Sequence, residues 1–416
     1  MSSPFLLLSA PEGDFYAHIL RCFAAGFESL GIPCLQQNPH IGHEALAQWA
    51  AKFRPAAVLE INCVLSLATP WPQDVPHLAW LQDHRFGGYD LTQNLGNSRH
   101  LYFIVHPSSF GIVVPRERAW SILLPAARVD PPAQVQPEMQ RDFSMAGYIP
   151  APLDADAPVA FMADGSPVEL ERFLSRFPVE LLSDAAFSMR DIHSAIAKTC
   201  QEIGCGQITD RGTLQTFDEI LVRTLERRRI LEDVIASGGT LEIFGPPTWE
   251  KWPQFAPYYR GHIADPRQLD PIFQTTRINL HNSGLTMHFR VMDCLAAGGF
   301  MMVNETPWDF LTGGIRNYLE PGRHYGSYKI SEVGAVAKRY LADEGARRRI
   351  GAEGRRVVLA EHTWRDRARQ IMNDIGLAPR KLAGSKTPEL ERAETALMQI
   401  ANRQQEAEKL SEPRPL

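Results

Sequence analysis

One stretch, Ile278–Val303 (INLHNSGLTMHFRVMDCLAAGGFMMV), spaces residues that can handle an anionic ligand. Arg290 and Asp293 share one helical face with Thr286 and Ala297, at steps of four, three and four. The guanidinium suits a phosphate, and the carboxylate one turn away suits a ribose. Ahead of them, His281-Asn282-Ser283-Gly284 has the composition of a tight turn. Ser283, Gly284 and Leu285 would present backbone N–H groups beside the positive end of a helix, where a phosphate is favoured. Taken alone, Arg290 and Asp293 fit equally well an i,i+3 surface ion pair worth about 0.2–0.5 kcal/mol.

Positioning these residues takes a strand, a turn and a helix. Ile278-Asn279-Leu280 reads as the strand. The periodicity predicts a helix from about Thr286 to Ala297, capped by Ser283 or Asn282 and stopped by Gly298-Gly299. Met287, Val291, Cys294 and Leu295 form its packed face. Upstream lie the strand Leu241–Phe244 ending in Gly245, then Trp249-Glu250-Lys251 and Pro257–Ile263 (PYYRGHI). Downstream come Phe310-Leu311, the turn Leu319-Glu320-Pro321-Gly322, a helix from about Ser331 to Asp343, and Arg347–Thr363 (RRRIGAEGRRVVLAEHT).

In this order, the series resembles the C-terminal half of GT-B glycosyltransferases. It is most similar to the CgeB-like spore-maturation branch of the group-1 (family 4-like) enzymes. The family order is a strand ending in Gly, a "YRG" strand, an "NLH.S" strand-turn, a helix reading "R.F(D/E).LA.GGF", "EPG", a helix, and a closing "R..G..R....HT...R" segment. The resemblance covers about Asp142 to Ile375; the N-terminal third matches only in architecture.

The resemblance implies an α/β chain with two Rossmann-like α/β/α domains facing a central cleft. It also implies a nucleoside-diphosphate sugar as donor, an acceptor hydroxyl, no metal and no other cofactor. The second carboxylate of the group's Glu-x7-Glu pair falls on Asp293, as ribose ligand, with a surface or capping role as the alternative. The first falls on Leu285, which cannot act as a carboxylate; the CgeB-like branch carries an Arg in the helix instead, here Arg290 for the pyrophosphate. Arg260 to Ile263 match the strand-turn whose backbone meets the nucleobase, although Arg260 fits a solvated strand-end cation as well. Asn282 and His288 would line the site, His288 having a structural reading too. In the N-terminal domain, Asp83-His84 after His77–Gln82 (HLAWLQ) approximates the group's His-Asp pair, and either can take the proton of an attacking hydroxyl. Glu12 and Asp14 are weaker candidates. Asp154-Ala155-Asp156 looks like a metal-binding DxD but sits in a Pro/Ala-rich loop. The runs Arg227–Arg229 and Arg347–Arg349 read as solvated faces.

Composition agrees with an ordinary soluble protein: 416 residues, 44% apolar and 22% charged, enough for two or three cores. A net charge of -5 gives no support to nucleic-acid binding. Six dispersed Cys without a C-x-x-C pair read as reduced thiols in a cytoplasm. Phe5–Leu8 is too short for a signal segment and no stretch is long enough to span a membrane, so membrane contact would be peripheral.

Strands alternating with helices before residue 125 imply a parallel doubly wound sheet. The expected domains are 1–130 on the acceptor side, a linker at 131–141, 142–363 for the nucleotide sugar, a helix at 364–378 crossing back, and a polar helical or disordered tail at 379–416. Helices are expected over about Glu169–Ile203 and Leu214–Ser237. Three rival readings stand beside a glycosyltransferase acting on a glycan, protein or small-molecule acceptor. One is a nucleotide-sugar epimerase of the same shape. Another is a catalytically lapsed binding or scaffold module. In the third, the tail docks onto a carrier protein.

Overall fold

The computed structural model describes residues 4–82, 85–86, 89–90, 94–110, 112–133, 135, 138–152, 160–163, 166–169, 172–173, 175–177, 189–208, 222–379 and 387–411. The chain forms two units: Met1–Pro131 with Ala264–Pro266 and Val358–Leu416, and Pro132–Ile263 with Arg267–Val357.

The first unit is a six-stranded parallel sheet in the order β2-β1-β3-β4-β5-β6, with β1 at Leu6–Ser9, β2 at Cys34–Gln37, β3 at Ala57–Ile61, β4 at His77–Leu81, β5 at His100–Phe103 and β6 at Ala119–Ile122. Every residue of β1, β3 and β4 is buried, as expected of parallel strands covered on both faces. Helix α1 (Asp14–Glu28) lies under α9 (Trp364–Asp374), whose Trp364 ring sits 4.8 Å from Phe23 and 5.8 Å from Trp80. Gly26 permits this approach, because a Cβ there would stand 2.4 Å from the Trp364 carbonyl oxygen.

The C-terminal helix α10 (Pro388–Ser411) forms within the expected polar tail and has a packed face. Leu390, Ala393 and Leu397 recur at helical spacing and are buried with Phe5, Leu7, Trp49 and Val58, beside α2 (His43–Phe53). Trp49 Nε1 donates to Ala393 O at 2.9 Å.

The second unit is a five-stranded parallel sheet in the order β8-β7-β9-β10-β11, with β7 at Arg141–Ala146, β8 at Leu241–Phe244, β9 at Thr276–His281, β10 at Met301–Asn304 and β11 at Gly326–Tyr328. Its core gathers Phe143, Met145, Ile243, Trp249, Ile278, Leu280, Met302 and Tyr328 under Ile230 and Val234 of α4 (Arg227–Ala236) and Val333 and Tyr340 of α7 (Val333–Ala342). Between β7 and α4, an antiparallel strand pair, Ala160–Ala163 with Ser166–Glu169, ends where the expected helix of about Glu169–Ile203 would begin, and helix α3, Met189–Glu202, forms its later part. Pro257–Ile263 is not a full strand either: Ala256–Tyr258 forms a 3-10 turn and Tyr259 alone bridges to Ile243. No helix among the described residues is long and apolar enough to cross a membrane.

Candidate functional site

In the second sheet the strand order reverses between β7 and β9, where open parallel sheets leave a crevice for ligands at the carboxyl ends of the strands. β9 ends in His281, whose carbonyl accepts from Tyr328 OH at 2.8 Å, and runs into buried Asn282. The Asn282 amide works in both directions. Its Nδ2 donates to Glu226 Oε2 at 2.6 Å, while its Oδ1 and backbone oxygen accept from Arg227 Nε and Nη2 at 3.2 and 3.1 Å.

The helix after the turn starts later than its sequence suggests. α6 spans Phe289–Ala297 and is capped by His288, whose Nδ1 accepts the Arg290 N–H at 3.2 Å. Asn282 and Ser283 do not cap it, since they lie six and five residues before His288. The Ser283 N–H donates to Asn304 Oδ1 at 3.1 Å, and Asn304 Nδ2 returns a bond to Ser283 O at 3.1 Å. Thr286 precedes the helix and gives its hydroxyl to Asp309. Ser283 therefore has no free N–H for a phosphate; Gly284 is exposed and Leu285 half-buried. Gly298, in the left-handed region at φ 86°, closes α6 at the predicted place.

Three guanidinium groups converge beyond β7. Arg290 Nη1 donates to Ala146 O at 2.8 Å. Arg223 and Arg227 lie over the Tyr148 ring, at 4.6 and 5.6 Å from its centre. Gly147 leaves room between them: a Cβ there would meet Arg290 Nη1 at 3.3 Å and Arg227 Nη1 at 3.5 Å. Arg227 is only 4% exposed, and its Nη1 has no hydrogen-bond partner among the described residues. Burial, then the neighbouring Arg290 and Arg223, pulls the Arg227 pKa down to about 9. Burial and Arg223 pull Arg290 down to about 10, against the opposing charge of Asp293. Burial likewise raises the Glu226 carboxyl to about 7. His281 and His288, with ring centres 4.9 Å apart, are held well below 6.5 by burial and by the same cations, so both are neutral at pH 7. The result is an excess of desolvated positive charge that an anion would relieve.

The backbone closes tightly around this point. A Cβ on Gly245 would stand 1.9 Å from Gly147 O, and Trp249 Nε1 donates to that oxygen at 2.8 Å.

Asn282, His288, Arg290 and half-buried Asp293 thus fall together at the end of β9 and the start of α6. Arg260 is exposed beside β8, its N–H donating to Ile243 O at 2.9 Å and its side chain to Pro257 O and Tyr259 O, with Glu242 3.6 Å away. Half-buried Ile263 follows Gly261, whose carbonyl accepts the Gly245 N–H at 3.1 Å. Asp83, His84 and Asp154–Asp156 lie outside the described residues.

The reading of Arg227–Arg229 as a solvated face holds for two of the three. Arg228 and Arg229 pair with Glu232 and Asp233 one turn on, but Arg227 turns inward, its i+4 neighbour being Leu231. Arg347, 7% exposed, is buried in the same way, donating to the carbonyls of Tyr340 and Leu341. That missing partner was the available sign of Arg227. Asn304, Gly147 and Tyr148 carried none.

Residues 220–373, which hold Arg223, Arg227, Asn282, Arg290 and Asp293, match the family model described as "Glycosyl transferase-like". No curated protein sequence matches the chain. Among solved structures, the chain is similar to a glycosyltransferase from Rickettsia africae, with 8% identity over 90% of this chain and 98% of that one at a TM-score of 0.48. It is also similar to AviGT4, a glycosyltransferase involved in avilamycin A biosynthesis, with 10% identity over 92% and 99% at 0.47. A third is Anabaena Alr3699/HepE in complex with UDP-glucose, with 9% identity over 89% and 99% at 0.45.

Proposed function

We propose that the chain is a metal-independent glycosyltransferase that takes its sugar from a nucleoside-diphosphate donor held by the second unit and passes it to an acceptor hydroxyl. The observation that carries this reading is the buried Arg227 guanidinium, with an unpartnered Nη1, facing Arg290 across Gly147 at the sheet's switch point. A diphosphate between them would gain two charge-assisted contacts. It would gain more as the glycosidic bond breaks and the leaving group takes up negative charge. The sequence match of 220–373 supports the sugar-transfer class. Asp293, on α6 one turn beyond Arg290, is the proposed ribose ligand. Asp83 and His84 remain the proposed acceptor-side base. Assignment to the CgeB-like branch rests on the ordered motifs found between about Asp142 and Ile375, and a cytoplasmic location on the dispersed thiols.

The test is a thermal-shift screen of UDP, GDP, dTDP and CMP, with and without EDTA, on the wild type and on Arg290→Met and Asp293→Ala. Ligand at about 1 mM binding with a Kd near 10 μM adds about 2.7 kcal/mol of stability. The expected result is one responding nucleoside diphosphate, indifferent to EDTA and weakened in both variants. No response from any nucleotide would leave the binding-module reading in its place.

A further inference from the structure

The first sheet also reverses its order, between β1 and β3, and at that point an acid is buried in an apolar strand. Glu60 of β3 (AVLEI) is 0% exposed and stands opposite Ser9 of β1. Its two carboxylate oxygens are treated differently. Oε2 accepts from His43 Nε2 at 3.0 Å and His77 Nε2 at 2.8 Å. The His43 tautomer is fixed by the Ser66 N–H, which donates to its Nδ1 at 3.3 Å. The His77 ring is held at Nδ1 by Ser98 Oγ at 3.0 Å. These two imidazoles orient the carboxylate and leave Oε1 buried with no hydrogen bond.

Oε1 points at His40 Nδ1, 3.0 Å away. The other ring nitrogen of His40 lies 2.9 Å from Ile61 O, which can only accept, so Nε2 carries a proton, and in the neutral ring Nδ1 presents a lone pair. This is the arrangement of a metal-binding imidazole, whose remote N–H donates to a backbone carbonyl. Cys63 completes the group, with one donor atom each from His40, Glu60 and Cys63 within 4.8 Å of one another. Zinc bonds of about 2.0–2.3 Å put tetrahedral donors roughly 3.3–3.8 Å apart, so small side-chain rotations suffice. His43 fits less well as a ligand, because metal at its Nε2 would set an Nδ1 proton against the Ser66 N–H.

We propose that His40 Nδ1, Glu60 Oε1 and Cys63 Sγ hold a zinc ion at the carboxyl end of β3, with the Ser9 hydroxyl (2.6 Å from His40 Nδ1) or a water as fourth donor. On binding, the Cys63 thiol gives its proton to solvent and coordinates as thiolate. Mixed nitrogen, oxygen and sulfur donors suit this borderline-soft ion. His43 and His77 are positioning residues that act through Glu60. The site is independent of the sugar-transfer reading, and it leaves the donor chemistry metal-free.

The experiment uses the untagged full chain. Metal content is measured after growth with zinc and desalting, and again after chelator treatment and zinc titration against a chromophoric indicator. Cobalt substitution then reads the ligands, since a thiolate–Co2+ bond gives a charge-transfer band in the near ultraviolet. The proposal expects one zinc per chain and a cobalt band that Cys63→Ser abolishes. His77→Gln should keep the band and weaken binding by roughly 10–100-fold, the usual effect of losing an outer-shell partner. Cys63 is partly exposed, so its variant tests the ligand set without opening the core. Failure to retain stoichiometric metal, or a cobalt spectrum unchanged in Cys63→Ser, overturns the proposal.

Discussion

At Arg227, Asn282 and Glu226 a single amide holds a cation and an acid at once, and the acid gives the site a pH dependence. Burial raises the Glu226 pKa to about 7, with the Asn282 bond and Arg227 opposing, against an ordinary value of 4.5. A raised folded-state pKa means that the protonated form is the one the fold favours. The Glu226 contribution is therefore fully present below pH 4.5 and is lost as the pH climbs through about 7. Glu226→Gln keeps an acceptor for Asn282 Nδ2 and removes the titration. The stability of this variant relative to wild type is expected to rise between pH 4.5 and 7 and to level off above. Urea melts at four or five pH values check it, and a flat difference would place the ionisation elsewhere. Arg290, Asp293 and Asn282 were legible because helical period and turn composition are local properties. Arg227 and Glu60 were not picked out: Arg227 stood in a basic run and differed from its neighbours only in lacking an acidic i+4 partner, and Glu60, an acid in the apolar strand Ala57–Ile61, gains its histidine partners only through the tertiary fold.

Elements were legible where their period was uninterrupted. The strand Leu241–Phe244 and the helix expected from about Ser331 to Asp343 fall where their sequence patterns put them. α6 starts at Phe289, three residues after the expected Thr286, whose hydroxyl is bonded instead to Asp309, a side chain distant in sequence. Composition also understated α10, whose apolar stripe is narrow in an otherwise polar helix. Leu397 is buried against α2, whereas its neighbour Met398 is 54% exposed. Leu397→Ala should cost about 2–5 kcal/mol, the range for a buried Leu that leaves a cavity. Met398→Ala should stay within about 0.5 kcal/mol. Denaturant unfolding followed by tryptophan fluorescence distinguishes them, and Trp49, bonded to the α10 backbone, serves as a reporter. Equal costs would mean that the tail does not pack as described.

The path of the chain through its two units sets a folding order. The first unit draws its sheet from the first 131 residues but its outer helices from 358–416. Without α9 and α10, the residues packed against Trp364 (Phe23, Trp80) and against Leu390 and Leu397 (Phe5, Leu7, Trp49) would face water. Fully burying one such side chain contributes roughly 1.5–3 kcal/mol, so losing several exceeds the 5–15 kcal/mol typical of a whole domain or comes close to it. The second unit is nearly contiguous, 132–357 but for three residues, and keeps its core and its arginine cluster together. A fragment of residues 1–131 is therefore expected to be unfolded alone and to gain structure when 358–416 is added in trans. A fragment of residues 132–357 should fold by itself and bind the nucleotide chosen by the intact chain. Circular dichroism, heteronuclear NMR and the same thermal-shift screen provide the measurement. A stable 1–131 fragment would show that the returning helices add little to that core. A folded 132–357 fragment that ignores nucleotide would show that the arginine cluster is not a complete donor site.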